Sequence, residues 1–157
     1  WWFDFSTIET PGTYYILDAS NNTKSYTFEI SISPYEEVLK SALKMFYYNR
    51  CNMPKESPYA ESNWTDADNF QNALQDYNCR YIYAPGDASL ERDLSGGWFD
   101  AGDYNKYTTF ALDVIHNLLY AYLESSDIFG DNWNIPESGN QIPDILDEVN
   151  WELEWLE

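Results

Sequence analysis

Two aspartates, Asp100 and Asp103, stand three residues apart in the segment Ser95-Gly96-Gly97-Trp98-Phe99-Asp100-Ala101-Gly102-Asp103-Tyr104-Asn105-Lys106-Tyr107. Small residues between and before them let the backbone turn, so both carboxylates can face one point and hold a single water there. A carboxylate that strips a proton from such a water performs the base half of glycoside hydrolysis by inversion; a carboxylic acid on the other face of the sugar protonates the leaving oxygen. The competing reading is structural. Asp is favoured at helix N-caps, and a helical pattern follows Asp103, so spacing alone leaves both readings open.

The elements that must position these residues change character along the chain. Tyr14-Tyr15-Ile16-Leu17 is a β-rich run between Pro11-Gly12 and the turn-forming Asp18-Ala19-Ser20-Asn21-Asn22. From Ser25 to Ile32 the alternation is strict, with Tyr26, Phe28, Ile30 and Ile32 on one face, which predicts a half-buried antiparallel strand. So few strands do not make a stable sheet alone, and residues 1–33 read as the closing strands of a β-sandwich. After Ser33-Pro34 the period becomes helical. Tyr35, Val38, Leu39, Ala42 and Phe46 define a first helix of about 14 residues from near Pro34. A second is expected from near Asp103, with Tyr107, Ala111, Val114, Ile115, Leu118 and Tyr122 on its apolar face. The third should begin with Pro143 as its first helical residue. Asp144, Asp147 and Glu148 lie near its positive end and Ile145, Leu146, Val149, Leu153 and Leu156 form its stripe. The long irregular stretch from 49 to 102 is of the kind that carries function. The chain opens on Trp1-Trp2-Phe3 and stops inside a helical pattern, so both ends read as cuts in a longer protein.

Composition narrows the partners. With 44% apolar and 18% aromatic residues the chain can bury a core. Its 8 basic against 27 acidic residues, a formal charge of -19, would repel nucleic acid and anionic lipid. No apolar run approaches the roughly 18 residues of a membrane span. A non-catalytic carbohydrate-binding module would place its aromatics in an exposed row on the strands, whereas here they spread through the helices and the long loop. A structural helical-repeat protein would show internal periodicity, and none is visible.

The segment Gly96-Gly97-Trp98-Phe99-Asp100-Ala101-Gly102-Asp103-Tyr104, with Lys106-Tyr107, closely resembles the signature of glycoside hydrolase family nine, the endoglucanases and cellobiohydrolases. Ile135-Pro136-Glu137-Ser138-Gly139-Asn140, leading into Pro143-Asp144-Ile145-Leu146-Asp147-Glu148 and Trp151-Glu152-Leu153-Glu154, is similar to the family's segment after its second helix. Phe46-Tyr47-Tyr48-Asn49-Arg50-Cys51 matches the end of its first. The resemblance implies a mainly α fold, the first part of an (α/α) barrel of six helical hairpins over 34–157, preceded over 1–33 by the C-terminal part of an immunoglobulin-like sandwich. It implies inverting hydrolysis of β-1,4 bonds in cellulose or related β-glucans by a secreted, extracellular enzyme, with Asp103 as base and Asp100 as its partner. Trp98 and Tyr104 become candidates for contact with substrate. The family's acid is a Glu near the far end of its domain, so the remainder of the catalytic domain is needed and the piece alone should be inactive. Glu137, in a loop or helix-entry block, does not match the acid.

Three expectations about ions and links follow from the same resemblance. Calcium is possible as a structural ion, because Glu137 to Glu148 concentrates oxygen ligands. Members of this kind often hold zinc with two Cys and two His, but here Cys51 and Cys79 are accompanied by Arg80 and Phe99, so zinc is not expected. His116, the only histidine, falls within the second helix. Keeping both cysteines without the histidines suggests a Cys51–Cys79 disulfide, worth roughly 3 to 4 kcal/mol on the chain-entropy model, to tether the loop bearing Asp100 and Asp103; the alternative is two unlinked, buried thiols.

Overall fold

A computed structural model describes residues 2–157, which form two compact units, one up to Ser41 and one over Ala42–Glu157. Trp1 lies outside the described residues. In the first unit, β1 (Gly12–Tyr14) pairs antiparallel with β4 (Phe28–Ile30), Tyr14 opposite Phe28. Between them β2 (Leu17–Asp18) and β3 (Thr23–Lys24) close a hairpin whose turn is held by the Asp18 carboxylate, which accepts from the Ser20 and Asn21 amides. The strand expected over Ser25–Ile32 is confined to Phe28–Ile30, and Tyr26 and Ile32 are almost fully exposed. Ser25 explains the shortening: its hydroxyl accepts from the Ile16 amide at 2.9 Å and donates to the Tyr26 carbonyl at 2.7 Å, taking bonds a ladder would use. Among the described residues the strands make two two-stranded sheets.

Helix α1 (Glu36–Asn49) crosses from the first unit into the second. Its buried residues are Leu43 and Tyr47, while Val38 and Ala42 of the expected stripe are exposed. The face is rotated because Arg50, just past the helix, lies three residues beyond Tyr47 and is buried with it. Tyr47 packs with Ala60 and Ile135 in the core, bordered by Tyr48, Met53 and Tyr59.

The connection from 50 to 107 contains single turns of 3-10 helix and three isolated backbone pairings, Arg50 with Trp98, Lys55 with Asp66 and Cys79 with Arg92. Lys55, also buried, donates from its ammonium to the carbonyls of Arg50 and Met53. Helix α2 (Thr108–Glu124) begins five residues after Asp103, with Ala111, Ile115 and Leu118 buried as the periodicity predicts. It packs on α3 (Asp144–Leu156), which starts one residue later than expected, with Pro143 at its cap. The buried face of α3 is not the expected apolar stripe. Leu153 is 40% exposed, whereas Glu148 and Glu152 are buried beside Ile145 and Val149.

Those acids answer Arg50. Its guanidinium grips Glu137 through Nη1 at 2.9 Å and Nη2 at 3.1 Å, donates from Nε to Glu148 Oε2 at 3.2 Å, and lies over the Trp151 ring at 4.6 Å from the centroid. One buried cation thus joins the end of α1, the loop before α3 and α3 itself. Replacing it by Met should leave Glu148 buried without its counter-charge and cost about 3 to 5 kcal/mol in guanidinium unfolding; a loss within 1 kcal/mol would contradict this account of the core.

Candidate active site

The aspartates leave the protein from a segment anchored on two sides. Gly96 and Gly97 adopt left-handed backbone with φ of +87° and +71°, and a Cβ on Gly97 would sit 2.8 Å from the Trp155 ring. Only glycine lets the loop approach α3 that closely. On this face Trp151 Nε1 donates to the Gly97 carbonyl at 3.0 Å and Trp155 Nε1 to that of Leu94 at 3.2 Å. In the opposite sense, Trp98 donates its amide to Glu152 at 2.6 Å and its indole N–H to Glu148 at 3.3 Å. From the α1 side, the Cys51 amide donates to the Gly97 carbonyl and the Phe99 amide to that of Asn49. Lys106 closes the far side, its ammonium on Asp76 and on the carbonyls of Leu94 and Gly96.

Beyond Phe99 the chain makes a tight turn. The Asp100 amide donates to the Asn105 carbonyl at 2.8 Å, the Tyr104 amide to the Ala101 carbonyl at 2.9 Å, and Tyr104 has φ of +56°. Asp100 and Asp103 lie on either arm of this turn, both exposed. Asp103 is not a helix cap, since Tyr107 holds that place on α2. Instead its carboxylate accepts from the Asn105 side chain at 3.0 Å, the Asn105 amide at 3.3 Å and the Tyr107 hydroxyl at 3.4 Å. These donors, the Asn105 side chain foremost, hold its carboxyl below the usual carboxylate range. Beside the turn a cleft of about 160 Å³ is lined by Phe46, Trp98, Phe99, Asp100, Tyr107 and Phe110, with Glu152 at its wall.

The buried acids behave oppositely. Burial pushes the Glu152 carboxyl up to about 7, against the pull of the Trp98 amide and of Lys106. It raises Glu148 as well, against Arg50 and the Trp98 indole. Sequence reasoning considers Glu148 only as a calcium ligand or a complement to the helix dipole, and singles out none of Glu152, Arg50, Trp151, Trp155 and Asn105 as functional. One signal was available: two acids four residues apart on the helical face that also carries Ile145 and Val149.

Several expected residues are placed differently. Trp98 is 8% exposed, packed on Phe46 with ring centroids 5.0 Å apart and its N–H committed to Glu148, so it supports the loop as well as lining the cleft. Tyr104 is 53% exposed and meets Phe99 edge-on. Cys51 and Cys79 are free thiols, which corrects the expected disulfide. Cys51 is sealed behind Gly97, its thiol pushed by burial up to about 11, whereas Cys79 lines a separate groove with Arg80, Tyr81 and Leu90. The zinc donor set does not fit this chain: Arg80 is paired with Glu91 at 2.7 Å, the Phe99 ring offers no ligand atom, and His116 is exposed on α2 against Tyr120. Glu137 and Glu148 hold Arg50, Asp144 accepts from the Trp133 amide and the Ser138 hydroxyl, and Asp147 accepts from Asn140. Among the described residues no group of three or more His, Cys, Asp or Glu is arranged to hold a metal ion.

The comparisons with known proteins agree with one another. The family model described as Glycosyl hydrolase family 9 matches residues 35–157. The xyloglucan-specific endo-beta-1,4-glucanase BoGH9A of Bacteroides ovatus is 37% identical over 98% of this chain and 26% of its own length. Endoglucanase D of Acetivibrio thermocellus is 31% identical over 98% of this chain and 24% of its own. A solved structure of a Bacteroides ovatus GH9 protein superposes with a TM-score of 0.78 at 33% identity, covering 98% of this chain and 27% of that one. The chain therefore spans about a quarter of the length of the relatives it matches.

The Asp103 environment predicts its own titration. Asn105→Ala removes the largest stabiliser of the charged carboxylate, so the Asp103 pKa should rise toward the ordinary value of about 3.9. Carbon-detected NMR titration reads this directly, and an unmoved or lowered pKa would contradict the assignment of cause.

Proposed function

Because the chain belongs to glycosyl hydrolase family 9, we propose that it supplies the water-activating side of an enzyme that hydrolyses β-1,4-glucosidic bonds with inversion. The bond is the one in the name of the Bacteroides ovatus relative, and the substrate class is a β-1,4-linked glucan, plain or branched like xyloglucan. Asp103 accepts a proton from a water that Asp100 helps to hold. The water oxygen attacks the anomeric carbon from the face opposite the glycosidic oxygen, that C–O bond breaks, and the departing oxygen takes a proton from a carboxylic acid. The acid comes from a segment of the catalytic domain outside this chain. Glu137 is paired with Arg50, and Glu148 and Glu152 are turned into the protein, so none of them fills that role.

The observation that carries this reading is the turn itself. Two exposed carboxylates stand on it beside an aromatic-lined cleft, and the one with three donors, Asp103, is held ionised well into acid. A lowered pKa makes Asp103 a weaker base but keeps it available. An oxocarbenium-like transition state tolerates this, because the leaving bond is largely broken before the water must give up its proton. Tyr104, half exposed at the crest of the turn, is placed to meet a sugar ring with its own.

Asp103→Ala in the complete enzyme should lower turnover on soluble β-glucan by about two to four orders of magnitude. Asp100→Ala should be damaging but less so. Near-normal turnover in the Asp103 variant together with an inactive Asp100 variant would reverse the two roles.

A further inference from the structure

The aspartates do not hold themselves in place; helix α3 does much of it. Along one face of that helix, acceptor and donor side chains meet the loop group for group: Glu148 and Glu152 take the two N–H groups of Trp98, and Trp151 and Trp155 give theirs to the carbonyls of Gly97 and Leu94. Glu148 and Glu152 are one turn apart, about 6 Å along the axis. Gripped at backbone and ring together, Trp98 is fixed in rotation as well as position.

We propose that Glu152 is a positioning residue for the reaction, its carboxylate holding the Trp98 amide and thereby setting where Asp100 and Asp103 stand, with Trp151 as its partner on Gly97. This rests on the reading that those two aspartates do the chemistry. Glu152 is 1% exposed and its hydrogen-bonded partner is the Trp98 amide, so it spends a buried carboxylate on one peptide group. Burying a charge for that purpose is expensive compared with an apolar residue at the same helical position. What it achieves is a short bond, 2.6 Å, from the Trp98 amide two residues before Asp100. Across so short a stretch of chain, at most about 7 Å, little lies between a shift at Trp98 and a shift at Asp100. Glu152 also forms part of the wall of the cleft that Asp100 lines. A misplacement of about 1 Å at a reacting group can cost on the order of a hundredfold in rate.

The test compares Glu152→Ala and Glu152→Gln in the complete enzyme by amide hydrogen exchange over residues 94–103 and by steady-state kinetics on soluble β-glucan. Glu152→Ala should exchange the Trp98 and Asp100 amides at least about tenfold faster, lower kcat by about 10- to 100-fold and leave KM within about twofold. Glu152→Gln, which keeps an acceptor oxygen, should restore exchange and bring kcat to within about threefold of the parent. Should the Ala variant fail to fold, Trp151→Phe, which removes the donor to Gly97 and keeps an aromatic ring against Arg50, is read in the same way. Unchanged exchange in a folded variant, faster exchange with parental kcat, or a Gln variant as slow as the Ala one would each overturn the proposal. Retained activity in Asp103→Ala would instead defeat the base assignment, and the exchange comparison would still decide whether Glu152 grips the loop.

Discussion

A guanidinium with no surface left to solvent is the constraint on which the second unit depends. Burial works against the charge of Arg50, and Glu148 and Glu137 outweigh it, so its pKa is raised and it stays charged. A buried cation must find acceptors in fixed directions, and a planar fork of donors accepts few arrangements. Meeting that demand brings the loop before α3 and the first turns of α3, 87 and 98 residues further along the sequence, to the end of α1. Glu148 then carries the constraint onward, because the oxygen that accepts from Arg50 Nε also accepts from the Trp98 indole. Hydrophobic contacts around Tyr47, Ala60 and Ile135 supply packing but not direction. The ion network supplies direction.

From that network to the aspartates the path is short and polar. The segment 94–98 lies between α3 and the end of α1, held by indole donors, carboxylate acceptors and the Lys106 ammonium, with Gly97 where a Cβ would strike the Trp155 ring. Carboxylates on this path fall into two environments. Glu148 and Glu152, buried, are pushed toward the neutral form, while Asp103, exposed and ringed by donors, is held in the charged form. Environments that push carboxyl pKa values apart also divide their roles. Here the high-pKa acids hold the loop and the low-pKa acid faces solvent, where a water can be activated.

What could be read in the sequence follows the range of the interactions involved. Local patterns served well: the α2 face of Ala111, Ile115 and Leu118 emerges from periodicity, and Pro143 marks the start of α3 within one residue. The Asp-x-x-Asp pair was visible as chemistry, although its helix-cap alternative fell only when α2 was found to begin at Thr108. Failures cluster where a distant partner decides. The α1 face was misjudged because a buried arginine, which no apolar pattern anticipates, draws Tyr47 and Leu43 inward. The grip of Glu148 and Glu152 on Trp98 is not legible in sequence because that partner lies about fifty residues away, and the pairing of two helical acids with one loop tryptophan leaves no periodic trace. Cys51 and Cys79 are free thiols, the first fully buried and the second lining a groove with Arg80 and Leu90.

The central claim is that Asp103 delivers a water to the face of the sugar opposite the departing oxygen. The anomer first formed during hydrolysis by the complete enzyme reports that face. Proton NMR of a soluble β-1,4-glucan oligosaccharide, recorded within the first minutes of reaction and before mutarotation, should show the α-anomer of the new reducing end accumulating first. Initial accumulation of the β-anomer would mean net retention, and would contradict the role of Asp103 as the base of a single displacement.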